Sequence, residues 1–247
     1  MPFSLDALPL IAAIVLLGYI VLAVGGFGSS LVSMPLLALL LPLKLVVPLM
    51  LLLDFTGMTS QGVRLRRDLD HREMVAIIPP QLVGMVTGVA ALVWLPGRAL
   101  LIALGVFILA YGVHSLRSPG PRNPIPRWWA IPAGLFGGVI GGMFGTGGAI
   151  FALYFALRIP DPARMRATLS AVFVVNTGTR LLLFLLSGLL LQGEVWIGYL
   201  MLVPLVWLGL FIGHRLHGRL TPLQVARAVS VLLLFSGTSV LVKGFAL

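Results

Sequence analysis

The chain contains no cysteine, so it can form no disulfide, thiolate-ligated metal site or cysteine nucleophile. Acids are scarce as well: seven Asp and Glu stand against seventeen Lys and Arg, and charged residues make up only 10% of the 247 positions. No apolar run contains His-Glu-x-x-His, paired aspartates, a Ser/His/Asp set or a nucleotide-binding glycine loop with its lysine. That leaves no catalytic constellation, cofactor motif or ATP-driving element, and the chain reads as a non-enzyme. What is abundant is hydrocarbon. Hydrophobic residues account for 59% and the mean hydropathy is +1.09, which excludes an ordinary soluble domain.

Between Ala7 and Leu53 the only ionisable side chains are Tyr19 and Lys44. Further apolar runs occupy 74–95, 99–116, 128–157, 167–191, 195–213 and 222–245, each near the ~20 residues that a spanning helix needs. Strands of a β-barrel would alternate apolar and polar residues, so the runs predict helices crossing a lipid bilayer. The net charge of +10 does not mark a nucleic-acid binder, because the bases cluster between the apolar runs, as the positive-inside rule expects. Met-Pro-Phe-Ser-Leu-Asp at the start lacks the basic residues of a cleaved signal peptide, so the first apolar run is expected to remain as a structural segment.

Two glycine-rich breaks interrupt the apolar sequence, at Gly25-Gly26-Phe27-Gly28-Ser29-Ser30 and at Gly145-Thr146-Gly147-Gly148. Gly26 and Gly28 align with Gly145 and Gly147 at an offset of 119, and Pro79, Gly84, Gly88 and Gly112 align with Pro204, Gly209, Gly213 and Gly237 at 125. One GxxxG in a glycine-rich membrane chain is unremarkable, but two at one offset with matched flanking residues indicate duplication. The loop 64–72 carries Arg64, Arg66, Arg67 and Arg72, while its counterpart near 187–194 carries only Glu194, so equivalent loops are expected on opposite sides of the membrane.

The predicted architecture is an all-α polytopic membrane protein with two inverted repeats, 1–116 and 128–247, joined by a Pro/Arg-rich cytoplasmic linker, 117–127. Each repeat holds a broken helical hairpin (7–41 and 128–158) followed by three transmembrane helices. Cytoplasmic segments 64–72, 117–127, 158–166 and 214–223 then hold twelve Lys/Arg, and the outer segments hold Lys44, Arg98 and Lys243. Residues 28–41 give only ~21 Å of helix against a ~30 Å hydrocarbon core, so the hairpins are expected to be re-entrant or strongly tilted.

The early glycine break, followed in the first copy by Leu-Val-Ser-Met-Pro (31–35) and in the second by Gly-Gly-Met-Phe-Gly-Thr-Gly-Gly (141–148), resembles the sulfite exporter TauE/SafE family of bacterial membrane transporters. The polar segment Asn176-Thr177-Gly178-Thr179 agrees with it, and the resemblance covers nearly the whole chain. It implies export of sulfite or a small organosulfonate anion across the bacterial inner membrane.

Helix breaks expose backbone N–H groups at the head of the next half-helix, where an oxyanion is stabilised. Substrate-binding candidates are therefore Gly26, Gly28, Ser29 and Ser30 at the first break, and Gly145, Thr146, Gly147 and Gly148 at the second. Gly134, Gly137, Gly138, Gly141 and Gly142 read as packing glycines. Arg180, with Asn176 and Thr177 a turn away, can pair bidentately with an oxyanion or form a salt bridge to Asp54. Asp54 is the only acid inside an apolar run and is the candidate for proton coupling. Arg227, near a helix start, suits snorkelling, and His214 with His217 reads as a solvated basic end rather than a metal site. Partners implied are a small anion and the lipid bilayer; a homo-oligomer is compatible with the sequence and nucleic acid is not expected.

The charge swap between equivalent loops is directly testable because no native cysteine interferes. Leu69→Cys should react with a membrane-impermeant thiol reagent from the cytoplasmic side and Leu191→Cys from the outer side. Labelling of both from one side would refute inversion.

Overall fold

The computed structural model describes residues 7–25, 28–60, 69–117, 125–216 and 222–246; side chains of 58–60 and 222–227, including Arg227, lie outside that description, as do Gly26, His217 and residues 61–68. All regular structure among the described residues is helical. Before the linker come α1 (Leu8–Gly25), α2 (Ser29–Leu40), α3 (Leu43–Ser60), α4 (His71–Trp94) and α5 (Gly97–Arg117). After it come α6 (Ala130–Phe144), α7 (Gly148–Arg158), α8 (Pro162–Leu186), α9 (Gly193–Leu216) and α10 (Pro222–Ala246).

The helices α4, α5, α8, α9 and residues Ala228–Ala246 of α10 are long and apolar enough to cross a membrane. Their buried fraction stays below one half because they present Val75, Leu186, Leu200 and Phe235 outward, as a lipid-facing surface does. The chain is an all-α multi-pass membrane protein. By contrast α2 and α7, with 12 and 11 residues, extend only about 18 and 16 Å. Helix α8 begins at Pro162, earlier than the apolar run 167–191 suggests, because Asp161 caps it by accepting from Ala163 N–H at 3.0 Å and proline suits its first turn. It ends at Leu186, before the turn at Gly188, whose φ of 76° lies in the left-handed region.

Two compact units result. The first comprises Met1–Gly57, Leu95–Pro119 and Leu189–Leu247, and the second Met58–Trp94 and Gly120–Gly188. Each draws helices from both sequence halves, so the compact units do not coincide with the two repeats that the sequence predicts.

Within the first unit α1 packs on α9 and α5 on α10. A Cβ on Gly209 would stand 2.9 Å from Leu16 O, and one on Gly213 would stand 2.8 Å from Ile20 O. Gly112 of α5 faces Leu234 of α10 while Gly237 of α10 faces Leu109 of α5. In the second unit α4 packs along α6: Gly84 and Gly88 lie on the backbone of Leu135 and Val139, and Gly134, Gly138 and Gly142 lie on that of Ile77, Gln81 and Met85. The glycine pairs aligned by the 125-residue offset thus perform matching jobs. Lipid offers helices no hydrophobic driving force, so backbone-to-backbone approach supplies the dispersion contact instead.

One rim of the second unit is tied by charge. Glu73, buried in the first turn of α4, accepts from Tyr154 Oη at 2.5 Å and from Arg158 at 2.6 and 3.2 Å. Arg158 also donates to Ile125 O at 2.9 Å, Arg127 donates to Arg72 O, and Asp70 pairs with Arg164 at 3.4 Å. The end of α7, the end of the linker and the start of α8 are thereby fastened to α4.

Gly142→Val should place its side chain against Met85 O, where a Cβ would already stand at 2.6 Å. Overpacking of this kind costs about 1–3 kcal/mol. Thermal unfolding in detergent is expected to fall clearly for Gly142→Val, whereas Gly178→Ala, with nothing within 4 Å, should hold or raise the midpoint. Equal melting of the two variants would contradict the packing account.

Candidate functional site

The two breaks share a local plan and differ in their chemistry. At the second, α6 ends when Gly145 turns left-handed at φ 75°, its N–H donating to Gly141 O at 2.9 Å. Thr146 and Gly147 follow, and α7 starts at Gly148. Gly147 is not strained in φ, but it lies directly on Gly137 O and within 2.9 Å of Gly141 at its Cβ position. Its lack of a side chain therefore serves closure of α6 on α7, and packing explains it without a ligand. Gly148 similarly faces the Phe173 ring.

Helix α8 lines this break through one face, with Phe173, Asn176, Arg180 and Phe184 spaced at three or four residues. Arg180 is buried, and its guanidinium rests on Gly145: a Cβ there would stand 2.5 Å from Nη1, 2.9 Å from Nη2 and 3.0 Å from Cζ. The same guanidinium lies 5.2 Å from the centroid of the Phe184 ring, a cation–π contact that steadies it. One turn earlier Asn176 Nδ2 would be 3.4 Å from a Cβ on Gly141, and Thr177 beside it is half-buried. Thr146 is buried at 3% exposure, and its hydroxyl finds no hydrogen-bond partner among the described residues. An unsatisfied buried hydroxyl costs about 1–3 kcal/mol, so a ligand that pairs with it recovers that cost. At the head of α7 the N–H of Ala149 donates to Thr146 O at 3.3 Å and that of Ile150 to Gly147 O at 3.0 Å, and this end carries the positive end of the helix dipole. Gly145, Thr146, Gly148, Asn176 and Arg180 come together here.

At the first break the donors are already engaged. Gly28 takes φ 110° ahead of α2, a conformation that favours glycine. Ser29 Oγ donates to Asp54 Oδ1 at 2.7 Å, Ser30 Oγ donates to Asp54 Oδ2, and Tyr19 Oη donates to Asp54 Oδ1 at 2.9 Å. The serines proposed as anion donors are thus bound to a carboxylate in this structure. The Tyr19 ring lies against Gly57, where a Cβ would be 2.9 Å from Cε1. At the other end of α2, Lys243 Nζ donates to Ala38 O at 3.0 Å and Leu39 O at 2.9 Å. That cation sits on carbonyls at the negative end of the helix, where it is favoured. Gly26 lies outside the described residues.

Sequence reasoning missed Glu73 and Lys243 as structural partners. Glu73 stands just outside the apolar run 74–95 and reads there as a boundary charge; only its four-residue-spaced partners Tyr154 and Arg158, distant in sequence, reveal its burial. His214 Nδ1 lies 2.7 Å from Leu210 O on its own helix, in keeping with the reading of this histidine as part of a helix end. Among the described residues no group of His, Asp or Glu is arranged to hold a metal ion.

Comparison with known proteins places these observations in context. A probable inner membrane transporter protein TsaS of Comamonas testosteroni is 28% identical over 192 residues, covering 77% of this chain and 80% of that protein. A probable sulfite/organosulfonate exporter TauE of Cupriavidus necator is 28% identical over 179 residues, covering 70% of this chain and 69% of that protein. No solved structure matches the chain. The profile of the sulfite exporter TauE/SafE family matches residues 10–240, a stretch that includes both glycine breaks, Asp54 and Arg180, and the chain belongs to this family of membrane transporters.

Proposed function

We propose that the protein is a secondary transporter of the bacterial inner membrane. It exports a small organosulfur or sulfur oxyanion, such as sulfite or a sulfonate like sulfoacetate, or a related carboxylate, by alternating access. One observation carries the anion site: the buried Arg180 guanidinium lies on Gly145 in the turn between α6 and α7, and the next residue, Thr146, has a buried hydroxyl with no partner among the described residues. A planar guanidinium presents paired N–H donors matched to two oxygens of a sulfite, sulfonate or carboxylate. Asn176 and Thr177 stand one turn from Arg180 on α8, and the positive end of the α7 dipole adds a favourable field for an anion. The names of the two relatives support a sulfur oxyanion as cargo.

A rival reading makes the chain a non-transporting scaffold whose small-residue faces await partner helices. The packing argues against it, because Gly84 and Gly88 are covered by α6, and Gly209 and Gly213 by α1, within the chain itself. Inverted repeats fit alternating access, since two copies of opposite orientation supply one half-site for each face.

Loss of a charge-assisted hydrogen bond is worth roughly 1.5–3 kcal/mol, so Arg180→Gln should bind sulfite or sulfoacetate about ten- to a hundredfold more weakly. Arg180→Lys should also weaken binding, because a point charge replaces a fork. Titration calorimetry on correctly inserted protein, with flux from proteoliposomes containing only this chain, measures both. Unchanged affinity in Arg180→Gln would return the residue to helix packing, and absence of flux with every oxyanion tested would favour the scaffold.

A further inference from the structure

We infer that the first break is a proton site and not a second anion site: Asp54, Tyr19, Ser29 and Ser30 form a device in which protonation of the carboxylate releases the head of α2. The inference rests on the transporter reading above and assigns the ion that drives it.

The starting observation is a division of charge between two breaks of common plan. At the second break a guanidinium faces the glycine turn. At the first a carboxylate from α3 receives one hydroxyl from α1 and two from the opening residues of α2. An anion brought there would meet a like charge and donors that are already committed. A cation is the chemistry that such a cluster accepts.

Hydroxyl geometry selects the proton. Ser29 and Tyr19 stand 2.7 and 2.9 Å from Asp54 Oδ1, oxygen-to-oxygen spacings of ordinary hydrogen bonds, so hydrogens already fill the space that a metal ion would need. An ionised carboxylate is acceptor-only and takes all three hydroxyls as donors. When a proton from water adds to one carboxyl oxygen, the group becomes a neutral acid with a donor of its own. One hydroxyl must then turn from donor to acceptor or leave, and the charge-assisted bonds become neutral ones of about half the strength. Ser29 and Ser30 are the first two residues of α2, so the loss falls on the start of that short helix.

The other ionisable groups around this site are placed differently. Tyr19 is the phenol supplied by α1. On the α9 side Tyr199 Oη lies 2.9 Å from Thr56 Oγ1, and because Thr56 gives its hydrogen to Leu52 O at 3.0 Å, Tyr199 is the donor there. Lys243 from α10 holds the opposite end of α2. With the tail fixed by Lys243 and the head governed by Asp54, protonation frees one end only and converts a titration into a movement of α2.

The test needs no transported anion, so its failure and a failure of sulfite binding at Arg180 are read separately. Infrared titration of the purified full-length protein is expected to show, in the wild-type minus Asp54→Asn difference spectrum, a protonated-carboxyl C=O stretch that grows as pH falls and is unaffected by sodium chloride. Hydrogen exchange at one fixed pH should be about tenfold faster for the amides of Leu31 to Ser33 in Asp54→Asn, which carries the neutral charge of the acid form, with Ala149 to Phe151 unchanged. Absence of that band from the difference spectrum overturns the assignment. So does its removal by sodium at constant pH, which would make sodium the occupant, or unchanged exchange in α2. Should Asp54→Asn fail to fold, Ser30→Ala must shift the frequency of the wild-type band, since it removes one of the bonds on that carboxyl; an unshifted band overturns the proposal.

Discussion

The arrangement of this molecule depends on satisfying backbone groups where its short helices stop within a largely apolar chain. Away from water, each freed N–H or C=O costs several kcal/mol unless protein or a polar cavity answers it. The two short helices meet that demand at both ends. Carbonyls at the end of α2 receive Lys243, while α7 ends in Arg158, held through Glu73 and Tyr154 to the start of α4. With the tails secured, the heads can carry chemistry. A glycine in the left-handed region precedes each: Gly28 at φ 110° and Gly145 at φ 75°. The turn therefore costs no side-chain clash and leaves the helix head open to whatever lies opposite.

What lies opposite has diverged. In one unit the facing helix α3 contributes a carboxylate, and in the other α8 contributes a guanidinium. The consequences propagate outward from that single difference. Around Asp54 the neighbours are hydroxyls that donate. Around Arg180 they are a glycine that admits the flat guanidinium, an aromatic face at Phe184 and an amide at Asn176. Both arrangements use short side chains at the head of the half-helix, because bulk there would separate the helix from the group that it serves.

Much of this was legible from spacing. Apolar runs predicted the helices, and the 125-residue offset paired Gly84 and Gly88 with Gly209 and Gly213, which indeed make matching backbone contacts on α6 and α1. Arg180 stood out because a base so deep in an apolar run is rare. Other features were hidden because they depend on contacts between residues remote in the chain. Ser29 and Ser30 look like anion donors until Asp54, 24 and 25 residues away, is seen to accept from them. The packing of Gly147 on Gly137 O is likewise invisible in the sequence. Glu73 reads as a boundary charge, since the residues that bury it are 81 and 85 positions distant. Helix ends were displaced where capping overrode hydropathy, as Asp161 and Pro162 carry α8 into a segment whose composition is polar.

Retention of a charge inside the membrane carries the last step. An arginine at the centre of a spanning helix costs about 2.5–3.5 kcal/mol on insertion scales; Arg180 lies six residues from the end of α8 but is buried there, and its guanidinium does not escape by losing its proton. If Arg180 served packing alone, Leu or Met on the same face of α8 would fill the space at lower cost, with Phe184 and Phe173 already supplying apolar neighbours. The contact with Phe184 recovers only a part of the cost. On the proposed function, an oxyanion that arrives and departs would recover more, and only while it is bound. The free energy that burial withholds from the resting fold is then expressed as affinity, which is the condition under which a transporter gains from keeping a fixed positive charge beside a glycine.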